Sequence, residues 1–127
     1  MAIHSVWANE SKTIMAVVFE GQWTWDEYFA SVDERTVMMD SVNHQVDFIV
    51  DFRDSAPLPK MALKNLAKAA QQTHPNQGMT VIVGATKKTI ARALEIFSRT
   101  FYDLSFVNNN EEAFKLIEGA RQVSVAA

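Results

Sequence analysis

The spacing of apolar residues changes early in the chain, from the short step of strands to the three-and-four step of a helix. "IHSVWA" and "TIMAVVFEG" are strand-like, the polar "NESK" between them reads as a hairpin turn, and Gly21 ends the second strand. Over "WTWDEYFASVDERTVMMDSV" the period lengthens, with Tyr28, Phe29, Val32, Thr36 and Met39 at helical spacing. The start of that helix is marked by its residues. Thr24 is the predicted N-cap, Glu27 stands at the capping-box distance, and Trp23 and Tyr28 occupy the two positions of a hydrophobic staple.

"VDFIVDF" is short, β-branched and nearly all apolar, as expected of a strand covered on both faces. Beyond it, "KMALKNLAKAAQQTH" predicts a helix over Lys60–His74, with Ala62, Leu63, Leu66, Ala67 and Ala70 inward and Lys60, Lys64 and Lys68 as an outer stripe. Pro57 and Pro59 favour extended geometry ahead of them, so this helix is expected to begin near Pro59 or Lys60, several residues after Ser55. "MTVIVGA" predicts another buried strand, and "KKTIARALEIFSRTF" a helix with Ile90, Leu94, Phe97 and Phe101 inward. "LSFVN" is a last short strand and "NNNEEAFKLIEGARQ" a last helix capped by Asn109, with Glu112 three residues on. The tail "VSVAA", 123–127, is expected to fray or to pair with a sheet edge. The order β-β-α-β-α-β-α-β-α predicts one α/β domain over 1–122. Its five-stranded sheet is mixed and mostly parallel, with the first strand antiparallel through the hairpin and helices on both faces.

Composition narrows what such a domain does. A net charge of −3 and a pI near 5.5 lack the basic surface of a nucleic-acid binder. The chain has no cysteine, which excludes disulfides, thiolate metal sites and cysteine nucleophiles. "MAIHSVWANE" has no signal-peptide pattern and no apolar run reaches membrane-span length, so a cytoplasmic protein without a membrane span is expected. His4, His44 and His74 show no ligand spacing, so no metal and no cofactor are expected. No Ser-His-Asp order or nucleophile elbow appears, and the chain reads as non-enzymatic, with no catalytic residues.

Candidate binding chemistry gathers outside the carboxyl ends of the strands, where open α/β sheets hold ligands. Four loops meet there: Gly21–Trp25, Asp51–Lys60, Ala85–Lys88 and Asn108–Asn110. They supply Trp23, Trp25, Asp51, Arg53, Asp54, Lys60, Lys87 and Lys88 as candidate partner or ligand residues. Trp25, in the first helical turn, suits an anchor for a partner or an apolar ligand. Lys87 and Lys88 open a helix, where cations run against the macrodipole and anions are favoured. Asp51, Asp54 and Ser55 invite comparison with a response-regulator receiver domain. The acidic pair and the lysine that a receiver needs after its other strands are missing.

The stretches "FEGQWTWDEYFASV", "VDFIVDFRDS" and "VIVGATKKT…ALEIFSRTF", followed by "SFVNNNEEAFKLI", resemble the STAS domains, the SpoIIAA-like fold of anti-sigma-factor antagonists, and in particular small bacterial STAS/SEC14-like proteins. The likeness spans nearly the whole chain and rests on element order and apolar pattern. It implies a non-catalytic regulatory module that binds a protein partner, with a phosphoacceptor serine or threonine at the start of the helix after the third strand. Ser55 is the matching position. Ala56-Pro57-Leu58-Pro59 follows it where the family has a small residue and a glycine. The alternative is a carrier or sensor of a small apolar or anionic ligand, or a lipid, by analogy with the CRAL-TRIO fold; six methionines suit an adaptable pocket. A homodimer protecting the exposed first strand is also compatible with the pattern.

Overall fold

The computed structural model describes residues 2–85, 88–100 and 104–126. Its elements follow the predicted order: β1 (Ile3–Trp7), β2 (Ile14–Gly21), α1 (Trp25–Asp40), β3 (Val46–Ser55), α2 (Ala62–Ala70), β4 (Gln77–Val83), α3 (Lys88–Thr100), β5 (Ser105–Val107) and α4 (Asn110–Ala126). The strands form one five-stranded sheet in sequential order, with β1 antiparallel to β2 and the rest parallel.

Sequential parallel strands joined by crossovers of one hand put every connecting helix on the same face. Accordingly α1, α2 and α3 share one side, where Met39, Leu66, Ile90 and Leu94 meet Val17, Phe19, Phe48 and Phe52. The last helix, α4, takes the opposite side, burying Ala113 and Ile117 against Ile14, Ile49, Val81 and Val83. Successive residues of β3 therefore serve different cores, which is why that strand is apolar almost throughout. Coverage on the α4 side is incomplete. That helix packs on β3, β4 and β5, and the edge strand β1 leaves Val6 52% exposed.

The predicted caps form. Thr24 Oγ1 accepts from Glu27 N at 3.1 Å, and Glu27 Oε1 accepts from Thr24 N at 3.2 Å. The Trp23 and Tyr28 rings meet at 6.1 Å across the staple. At α4, Asn109 Oδ1 accepts from Glu112 N at 2.9 Å, while the Glu112 carboxylate reaches back to Asn108 N at 3.1 Å.

Several boundaries differ from expectation. Strand β3 runs past Phe52 through Ser55, because after a register shift beyond Val18 its end still pairs with Gly21. Helix α2 is shorter than Lys60–His74. Met61, left-handed at φ 67°, caps it without a side-chain bond, and the Lys60 carbonyl is held outside by the Trp25 indole at 2.8 Å. Leu63 faces out, 44% exposed. Helix α4 continues through the expected tail to Ala126. The inward position expected for Phe101 lies outside the described residues. Among the described residues no helix is long and apolar enough to cross a membrane.

Candidate functional site

The carboxyl-end edge was the predicted site, and its residues divide between the two faces of the sheet. Trp23 is buried at 5% exposure, its ring 4.9 Å from Phe19 and 5.0 Å from Trp25. Its indole Nε1 donates to Ser55 Oγ at 2.9 Å. Since Trp25 bonds Lys60 O, the two indoles pin both ends of the "SAPLPK" loop. Ser55 is 0% exposed, and its Oγ also donates to Ala56 O at 2.7 Å. The hydroxyl matching the phosphoacceptor is thus enclosed by Trp23, the staple tryptophan.

Asp51 and Arg53 alternate with Phe52 and point to the α4 side. Asp51 accepts from Arg53 Nη2 at 2.8 Å, from Nε at 3.1 Å and from the Arg53 backbone N at 2.9 Å. The Arg53 side chain lies across Gly84, where a Cβ would come 2.2 Å from Arg53 Cγ; Gly84 also takes a left-handed φ of +70°. Asp54 and Lys60 are exposed. Lys87 lies outside the described residues; Lys88 opens α3 and its side chain lies outside them too. The described ones among these residues are not brought together around one pocket.

Burial pushes the Asp51 carboxyl up, but the side-chain and backbone hydrogen bonds of Arg53 and its charge outweigh this, leaving the pKa below the usual carboxylate value. A depressed folded pKa stabilises above the unfolded value near 3.8, and that contribution is lost as the pH falls through the folded pKa. Arg53→Met is therefore expected to be less stable than wild type at neutral pH, with the gap closing below about pH 4. Urea midpoints measured across that range would show it; a gap that persists unchanged in acid contradicts the pairing.

The side chains that do converge lie beneath the helices. α1 packs on β1 and α2 on α3, but α1 and α2 scarcely touch each other. A cavity of about 140 Å³ fills the gap. Its floor is Val17, Phe19, Phe48 and Val50 of the sheet; Val32 and Met39 of α1 face Leu66, Ala69 and Ala70 of α2, with Leu94 and Phe97 of α3 behind. The exposed lining residues Gln72 and Thr73, beside Gln77 at the start of β4, place its mouth toward the amino ends of the strands. That is opposite to the predicted edge. The gap is bridged by Lys68 Nζ, 4.8 Å from the centre of the Phe29 ring, and by His74 Nε2, 2.7 Å from Asp40 Oδ1.

Sequence reasoning passed over one lining residue. Arg35 stands four positions before Met39 and seven after Tyr28, within the inward stripe of α1, where an apolar residue is the rule. Its Nη1 donates to Ser31 Oγ at 2.7 Å, and its guanidinium carbon lies 5.5 Å from the centre of the Tyr28 ring. Burial pulls its pKa down from the ordinary value, with Tyr28 opposing, yet an arginine stays cationic under any physiological condition. Burial also pushes the Tyr28 phenol up, so it keeps its proton. Among the described residues no carboxylate pairs with Arg35, and no group of three or more His, Asp or Glu could hold a metal ion. The chain matches no family model and no curated protein.

Proposed function

We propose that the protein is a non-catalytic binding module that carries or senses a small apolar ligand between α1, α2 and the sheet. The cavity carries this reading. Protein interiors close-pack, and voids larger than a water are few. An apolar space of about 140 Å³ is close to the roughly 150 Å³ of cavities that take up benzene. Its walls are mainly apolar, with Leu66 and two alanines on α2 and branched or aromatic side chains on the sheet, and Arg35, Thr36 and Thr80 add polar groups. Its bridges are solvent-facing contacts that can open without unfolding the sheet.

Ala70→Leu tests the reading by filling the space from α2. The variant is expected to gain about 0.5–2 kcal/mol, which is roughly 2–8 °C in melting temperature for a domain of this size. A neutral aromatic probe such as toluene is expected to raise the melting temperature of the wild type and to have no effect on the variant. Absence of any probe-induced shift in the wild type would overturn the proposal.

The STAS-like reading, a regulatory module docking a protein partner, stands second. Its support is the element order, the mixed sheet and the place of Ser55 at the carboxyl end of β3. It requires that end of β3 to open, because the hydroxyl is buried in the conformation described.

A further inference from the structure

We infer that the ligand is a small monocarboxylate whose head group is held by Arg35 while its apolar body occupies the cavity. The inference rests on the ligand-binding reading above and adds the chemistry of the ligand. Three observations lead to it. Arg35 is the one charged side chain among the described residues lining the cavity, so the space offers a single fixed positive charge. No carboxylate of the described residues pairs with it; Glu34, its exposed neighbour in sequence, exerts only a weak charge effect. Its position is built, because Ser31 Oγ donates to Tyr28 O at 2.6 Å and so turns its lone pair to Arg35 Nη1 at 2.7 Å.

A half-buried guanidinium that no carboxylate of the described residues neutralises is unfavourable, and a bound anion would relieve that cost. The planar fork suits the two oxygens of a carboxylate. One cation balances one negative charge, which favours a monocarboxylate over a phosphate dianion. Tyr28 keeps its proton and lies with its ring centre 5.5 Å from the guanidinium carbon, so it does not neutralise the charge. The size of the space sets the body of the ligand near one aromatic ring or a short branched chain.

The test compares phenylacetate with its neutral counterpart 2-phenylethanol, by titration calorimetry or ligand-observed NMR, on wild type and on Arg35→Met. In the wild type, phenylacetate is expected to bind at least about tenfold tighter, the scale of a charge-assisted hydrogen-bond pair. Arg35→Met keeps an apolar stem on α1 and is expected to bring phenylacetate down to the affinity of the alcohol, with alcohol binding retained. Equal affinities in the wild type would overturn the anchor while leaving the cavity reading intact. Failure of both probes to bind would overturn the two together. Because the wild-type comparison needs no variant, the outcome stands even where Arg35→Met folds poorly.

Discussion

Replacing Trp23 with alanine is expected to lower the unfolding free energy by about 3–5 kcal/mol, the range for deleting a buried tryptophan. Few residues are so tied in. Trp23 is 5% exposed, lies between the Phe19 and Trp25 rings, and stands just before the cap that starts α1. The truncation would remove the ring from the aromatic cluster and the indole donor from Ser55, which keeps its bond to Ala56 O. Trp23→Phe is the milder change. It keeps one aromatic ring in the cluster and loses the N–H together with part of the indole volume, so it is expected to cost about 1–3 kcal/mol. Chemical denaturation of both variants is the measurement. A loss near zero for the alanine variant would mean that the cluster does not hold the loop. The same contacts bear on regulation: a phosphoryl group on Ser55 would bring close to two charges into a fully buried position, so modification and the native packing of Trp23 exclude each other.

What the sequence revealed, and what it withheld, follows from the range over which each cause acts. Thr24, Glu27, Asn109 and Glu112 act within one helical turn, so both predicted caps form where the spacing placed them. The nearly unbroken apolar run of β3 correctly implied cover on both sides. The limits of α2 depend on Trp25, distant in sequence, taking the Lys60 carbonyl, and no local pattern contains that bond. The end of β3 likewise depends on Gly21 and Trp23. The cavity is a matter of how two helices sit on the sheet. Ala70 reads as an ordinary inward alanine and Ala69 lies outside the expected inward set, and only the placement of α1 shows that nothing fills the space opposite them. Arg35 was visible as a charge in the apolar stripe of α1, a local inconsistency of the kind that marks functional positions.

The opposite face of the sheet yields a second large effect and a control for the ligand reading. Asp47, 3% exposed at the start of β3, accepts from Met79 N at 2.7 Å and from Gln45 Nε2 at 3.2 Å. Its other oxygen accepts from Arg121 Nε at 3.0 Å and Nη2 at 2.8 Å, and Nη2 also donates to Thr13 O at 2.9 Å. One carboxylate thereby ties β3 to β4 and, through Arg121, ties α4 to the start of β2. Gly78 permits the approach, since a Cβ there would lie 2.2 Å from Asp47 Oδ1. Asp47→Ala is expected to cost about 2–4 kcal/mol. That is below the full 3–5 kcal/mol of a broken buried pair, because the Arg121 side chain is 38% exposed and can return to water. Asp47→Asn keeps an acceptor for Met79 and loses the charge, so a smaller cost is expected. Hydrogen exchange locates the damage: amides of α4 are expected to lose protection first, while those of α1 and α2 keep theirs. Because the sheet separates Asp47 from the cavity, the aromatic probe should still raise the melting temperature of Asp47→Asn. If that variant lost both α4 protection and probe binding, the two faces would be one cooperative unit, and the cavity could not be treated as a site built by α1, α2 and the sheet alone.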